Sequence, residues 1–329
     1  MSIRIGFVGV GGVSRGHRNA LERMDDVDIV AVCDTNGDRA RAAAEEHEAK
    51  AYAEWQPMLK AESLDALYIC VPPFAHGEME QAAVERGLPM FIEKPVAIDW
   101  PTAVPIARAV DDAGLTVAVG YHWRYSPATE RAKAYLDEAM LAALVGAWAG
   151  GMPGVAWWRR RDGSGGQIIE QSTHIFDLVR HLSGAEPTRV FAAGFHGVMG
   201  KKVENYSIDD ASVAAIQLDS GVVASLMSAC MLPIEYHADI DALTDRGVVR
   251  LGGDEVTIEQ PDQQMTYRNP RGFSPHARGT EVFVEAVRAG DASAIRSDYA
   301  DAVRTFALTC AVQASIDRGE AVDLAEFAL

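Results

Sequence analysis

At 329 residues the chain is too long for one ordinary small domain, and its length predicts two. Its 48% apolar content is that of a globular protein with a sizeable core, and its net charge of −17 disfavours nucleic acid or anionic membrane as a partner, since both need a basic patch. Cys33, Cys70, Cys230 and Cys310 form no CxxC pair, which points to reduced thiols, a cytoplasmic chain and no zinc or other metal site.

The chain enters a strand at once, over residues 3–8, which leaves no room for a signal peptide, and no apolar run approaches the roughly 20 residues needed to span a bilayer. The strand runs into Gly9-Val10-Gly11-Gly12-Val13-Ser14, a G-x-G-x-x-S pattern that opens a helix with Val13, His17, Ala20 or Leu21, and Met24 on one face. Gly9 permits a tight turn, Gly11 lets the backbone approach a pyrophosphate, and small Ser14 stands where helix and strand pack. Residues 27–33 read as the second strand, ending at Asp34, which lies 25 positions after Gly9. An acid there suits the hydroxyls of an adenosine ribose and repels a 2′-phosphate, so NAD is expected and NADP less so. Arg39 is the residue that could serve NADP, and capping of the next helix is the alternative role for Asp34.

Helix and strand signals go on alternating through residues 40–47 and 64–71. Pro72-Pro73 stops the third strand, and Val71, Pro72 and Pro73 could form a rigid wall beside a cofactor. His76 is a further cofactor candidate or simply a polar helix-start residue. Phe91-Ile92 ends a short buried strand, which places Glu93 and Lys94 at the edge where open α/β sheets bind ligands, on a backbone stiffened by Pro95. A helix capped at Asp99 and a strand over residues 116–120 complete a doubly wound parallel sheet.

The periodicity then changes. His122, Trp123 and Arg124 sit in an aromatic stretch closed by Pro127, and a helix follows over residues 126–140. The basic triplet Arg159-Arg160-Arg161 reads as a loop touching substrate or a partner subunit, and Gly165-Gly166 leads into one helix over residues 167–182. On that helix Glu170 and His174 are i and i+4 and share a face, and Asp177 could orient the imidazole instead. From residue 188 short strands on tight turns predict an antiparallel sheet, before two closing helices.

The Gly9–Ser14 loop, Val71-Pro72-Pro73, Glu93-Lys94-Pro95, the stretch from Gly120 to Pro127, and Gly165-Gly166 through His174 together resemble the Gfo/Idh/MocA oxidoreductases, in order and over nearly the whole chain. The resemblance implies a nicotinamide-dependent dehydrogenase of sugars, inositols or related polyols. It implies a Rossmann domain over residues 1–122 and an α+β domain over 123–329 that binds substrate and forms a homodimer or homotetramer through a large open sheet. It also implies that Lys94 contacts the reacting hydroxyl and the cofactor, and that His174 is the acid/base. Glu170, Arg124, Trp123, His122 and Asp177 are the expected substrate contacts. Glu170 departs from the Asp common at that position in the family. A non-catalytic NAD sensor on the same fold, and a reductase of imines or enones, are the alternatives.

Overall fold

Six short strands of the first unit, most of them apolar, line up as one parallel sheet. The computed structural model describes residues 2–329 and divides into two compact units. The first unit comprises Met1–Ala97, Pro101–His122 and Ser274–Ala302; the second comprises Ile98–Trp100, Trp123–Phe273 and Val303–Leu329. In chain order the first half contains β1 (Ile3–Val8), α1 (Gly12–Leu21), β2 (Val27–Cys33), α2 (Gly37–Glu46), β3 (Lys50–Tyr52), α3 (Trp55–Ala61), β4 (Ala66–Ile69), α4 (Glu78–Glu85), β5 (Met90–Ile92), α5 (Trp100–Ala113) and β6 (Val117–Val119). The strand order is β3-β2-β1-β4-β5-β6, with every pair parallel. β4, β5 and β6 are buried at every position, as strands covered on both faces must be, which is why they read as unbroken apolar runs.

Pairing puts Phe7 beside Tyr68 and Tyr68 beside Phe91. The three rings stack at 4.7 and 5.0 Å, and Phe283 meets Tyr68 edge-on at 5.5 Å. Phe283 arrives from the returning segment, so the aromatic row explains why that late stretch packs on the first sheet.

The second half begins with α6 (Pro127–Leu136), β7 (Leu141–Ala149), α7 (Arg161–Ser164), α8 (Gln167–Glu170), α9 (Thr173–Ser183), β8 (Pro187–Phe195), β9 (Ala211–Leu218), β10 (Val223–Ala229), β11 (His237–Thr244), β12 (Gly247–Gly252), β13 (Glu255–Gln260) and β14 (Gln263–Arg268). It closes with α10 (Pro275–Ala289), α11 (Tyr299–Arg318) and β15 (Val322–Asp323). Nine strands form one sheet ordered β14-β13-β12-β11-β7-β10-β9-β8-β15, antiparallel except for the β7–β10 pair. Alternate residues such as Ala214, Ile216 and Leu218 face a core shared with Phe176, Val179 and Leu182 of α9. The other face carries Phe191, Phe195, Val213, Val223 and Val145, each about half exposed.

One expectation fails. The helix over residues 167–182 is two helices, because the Ser172 N–H reaches back to Gln167 O and the ladder restarts with Ile175 N–H donating to Ser172 O. Glu170 therefore ends α8 while His174 lies in the first turn of α9, and they are not one turn apart on a continuous helix. Among the described residues no helix is long and apolar enough to cross a membrane.

Candidate active site

The glycine loop is shaped by contacts that a side chain would destroy. Gly9 has φ +86°, and a Cβ there would lie 2.2 Å from Cys70 O, so only glycine fits. Gly11 is the N-cap of α1, and neither Gly11 nor Gly12 has any atom within 4 Å of a built Cβ. The backbone at the start of α1 is bare and its first N–H groups have no intrahelical partners, the arrangement that receives an anion. Val13 is exposed beside it, and buried Ser14 donates its hydroxyl to Gly11 O at 2.8 Å, closing the turn.

Asp34 follows β2 and is buried with all its acceptor positions occupied. Oδ1 accepts from Asn36 N and Arg39 Nη2, both at 2.8 Å, and Oδ2 accepts from Val10 N at 3.1 Å and Arg39 Nε at 3.2 Å. Burial pushes the carboxyl up, but the Arg39 guanidinium and the two backbone N–H groups outweigh it and hold Asp34 below the usual carboxylate range. Helix capping falls to Asn36, whose side chain accepts from Asp38 N and Arg39 N. Val71 and Pro72 are half-buried at the end of β4, and Pro73 opens a short 3-10 turn. His76 is buried against Glu80, Nδ1 to Oε1 at 2.6 Å, and Glu80 also accepts from Gly77 N, so the pair caps α4. The His76 Nε2 is buried without a partner among the described residues.

At the end of β5 the two charged neighbours part. Glu93 is 5% exposed and turned into the fold, where Oε1 meets His17 Nε2 at 2.9 Å. Lys94, joined to Pro95 by a cis peptide, is partly exposed. His122 stacks on His276 with ring centroids 3.6 Å apart. Burial, the neighbouring His276 and the Lys94 charge push the His122 imidazole down to about 3 against the pull of Glu93, so the ring is neutral near pH 7. His276 reads from the sequence as a weaker pocket candidate, with His237, whereas His17 does not stand out as part of the site. A histidine on an otherwise apolar helix face was the one signal for His17.

In the second unit His174 is 4% exposed and lies among aromatic rings, Trp148 at 5.6 Å and Trp123 at 6.4 Å. Glu170 accepts a short hydrogen bond from the Trp158 indole N–H. Trp148 and Trp158 carry no motif and were not singled out by the sequence. Arg124 and Asp177 are both buried and grip each other, Nε to Oδ2 at 2.7 Å and Nη2 to Oδ1 at 2.6 Å. Thr305 donates to Asp177 Oδ1 at 2.9 Å and Arg180 donates to Thr305 at 2.8 Å. Asp177 is thus held by Arg124 and Thr305, and Arg124 helps to fasten residues 123–125 to α9. Two residues of the basic triplet are likewise paired within the unit, Arg160 with Asp162 and Arg161 with Asp317. A cavity of about 1100 Å³, with Trp100, Arg161, Tyr206, Gln313 and Phe327 in its walls, contains none of Lys94, Glu170 or His174, so cavity volume does not locate the chemistry.

Two family models match this chain: an oxidoreductase family with an NAD-binding Rossmann fold over residues 3–121, and the GFO/IDH/MocA C-terminal domain over residues 139–250. The chain belongs to the Gfo/Idh/MocA oxidoreductase family. It is 22% identical to a myo-inositol 2-dehydrogenase of Thermotoga maritima, an alignment covering 98% of this chain and 99% of the relative. It is 26% identical to a D-xylose 1-dehydrogenase (NADP(+)) of Haloferax volcanii, covering 97% and 99%. The solved levoglucosan dehydrogenase in complex with NADH and levoglucosan superposes with a TM-score of 0.89 over 98% of this chain and all of that one, and at 19% identity the likeness speaks for the fold.

NAD is the cofactor of this Gfo/Idh/MocA chain, and its residues fit that group. The bare backbone of Gly11 and Gly12 would hold the pyrophosphate, with Gly9 making the turn, and Asp34 would take the ribose hydroxyls. Asp34 would accept from a ribose hydroxyl with Arg39, whose side chain is 54% exposed, turned aside.

Ionised Asp34 should give NAD a higher kcat/KM than NADP. Asp34→Ala, which removes the repulsion and releases Arg39, should cut the NAD/NADP ratio of kcat/KM by at least about 10-fold. A wild-type preference for NADP would make Arg39 a phosphate ligand and reverse the assignment. A second expectation concerns Asp177→Ala, which strands the buried Arg124 guanidinium. Urea denaturation should show a loss of about 3–5 kcal/mol, and a loss under 1 kcal/mol would mean the pair is not a structural fastening.

Proposed function

We propose that this chain oxidises a secondary hydroxyl of a sugar, inositol or related polyol, or runs the reverse reduction, with Lys94 and His174 as its catalytic residues. The observation that carries the reading is the Lys94 ammonium at the carboxyl end of β5, on the same sheet edge as the bare glycine loop. The names of the relatives support the substrate class.

NAD, when bound, accepts the hydride. Lys94 stabilises negative charge developing on the substrate oxygen, which is the role an ammonium fills best where water is excluded. His174 takes the hydroxyl proton, the general-base role that an imidazole fills most often. The Trp123 and Trp148 rings fix the plane of that imidazole and offer apolar surface to the C–H face of a sugar ring. Glu170 holds a second substrate hydroxyl, with the Trp158 indole fixing its carboxylate. His122 and Trp123 line the substrate, whereas Arg124 and Asp177 act behind it by holding residues 123–125 to α9. Val71, Pro72 and Pro73, with His76 close by, would form a wall beside the cofactor.

We also propose a homo-oligomer built on the open face of the nine-stranded sheet. Pairing places Phe191, Ala215, Ser225 and Val145 in one cross-strand row, and Ala193, Val213, Met227 and Ala147 in the next, an apolar face of mostly small residues suited to sheet packing.

Lys94→Met keeps the apolar stem and removes the charge. It should lower kcat by at least about 10²-fold with NAD still bound. His174→Asn should lower kcat by about 10²–10⁴-fold and flatten the acidic limb of the pH profile. If either variant kept most of its rate, that residue would lose its role, and His122 would be the next base to test. Val213→Glu on the exposed face should reduce the mass measured by light scattering without lowering Tm; an unchanged mass would place the interface elsewhere.

A further inference from the structure

Glu93 is a carboxylate taken out of water, and the groups around it come from four parts of the first unit. His17 of α1 contacts Oε1 at 2.9 Å through Nε2, and its Nδ1 lies 2.6 Å from Thr280 Oγ1 of α10. Lys94 follows Glu93 in the chain. His276 of α10 and His122 face it as charge-sensing rings, and the Cys70 thiol at the end of β4 feels it as a repelling charge. Gly120 completes the enclosure: a Cβ there would lie 2.7–2.8 Å from three atoms of the carboxylate group, so a bare backbone here leaves the carboxylate room. Burial pushes Glu93 up, but the His17 hydrogen bond leads the influences that outweigh it and keep the carboxyl below its usual range. The bond needs an Nε2–H on His17, and that tautomer leaves Nδ1 to accept from the Thr280 hydroxyl, so both ring nitrogens are committed.

We infer that His17 is a positioning residue for Lys94: by donating to buried Glu93, it fixes the counter-charge that holds the Lys94 ammonium in place, and it ties that charge to the helix that opens at the nucleotide loop. The inference rests on the catalytic role proposed for Lys94, but the tie itself is a property of the folded chain.

The test therefore has a readout that needs no turnover. The rate at which an amine reagent labels Lys94, followed by peptide mass spectrometry, should rise several-fold in His17→Leu, because the ammonium loses a fixed counter-charge. His17→Gln offers an amide N–H to Glu93 and a carbonyl to Thr280, and it should label at the wild-type rate. Gly120→Ala, which presses on the carboxylate without touching His17, should speed labelling as His17→Leu does. Wild-type labelling in His17→Leu and Gly120→Ala, with NAD affinity and Tm intact, would overturn the tie. Loss of NAD affinity in parallel with faster labelling in both leucine and glutamine variants would also overturn it, since His17 would then be a general prop of α1. In turnover, His17→Leu should lower kcat by about 10-fold, the usual scale for a residue acting through another, with little change in NAD affinity. Added to Lys94→Met, it should lower kcat by less than about 2-fold further. Independent, multiplicative losses would overturn the inference even if Lys94→Met alone confirmed the catalytic role. A harmless Lys94→Met would sink the catalytic role while the labelling rates still judged the tie.

Discussion

The constraint on which the first unit depends is the burial of one carboxylate. An isolated ionised carboxyl in an apolar interior is too costly to exist, so Glu93 requires donors and counter-charge delivered to it. Meeting that need draws in α1 through His17, α10 through Thr280 and His276, and the end of β6 through the bare Gly120. The late segment around α10 thus has two reasons to return to the first sheet, the apolar one carried by Phe283 and the polar one carried by Thr280. Breaking such a network at one partner leaves the others with buried, unmatched polarity, which makes the arrangement specific as well as stable.

The sequence shows most of what depends on neighbours in the chain. Strands such as residues 66–69 are legible because double-sided burial needs an unbroken apolar run, and the glycine loop because its turn and its anion contacts are local. The hairpin β9–β10 is legible from Asp219-Ser220-Gly221, and alternation along β9 shows which face is buried. What is not legible depends on distant partners. Nothing near Arg124 announces Asp177, 53 residues away, nor does anything near His17 announce Glu93, 76 residues away. The break between α8 and α9 is hidden for a different reason. Gln171 and Ser172 carry no helix-stopping residue, and the apolar spacing continues across them, so periodicity alone joins the two helices.

The second unit shows the same division between pattern and placement. Period-two alternation gives each strand its inner face, but not the order in the sheet. The parallel neighbours β7 and β10 are separated by three helices and two strands. That crossover sets α9 against the inner face, and with α9 it sets His174 against Trp148 of β7. The aromatic surroundings of His174 therefore follow from strand order, and no motif in the sequence could show them.

Electrostatics narrow what the Lys94 end of the sheet can do. His122 and His276, stacked on each other, both feel its charge, and burial pushes both below the ordinary imidazole range, with neighbouring positive charge adding to the effect. Near neutral pH they are uncharged walls, able to accept or donate a hydrogen bond but not to compete with Lys94 as cations. In the proposed tie the Glu93 carboxylate is the anchor of the ammonium, and the stacked rings of His122 and His276 are uncharged. This leaves one concentrated positive charge, with little mobile charge to screen it. Such a charge favours whatever becomes more negative beside it, and in a reaction that moves hydride off a carbon the atom that does so is the attached oxygen.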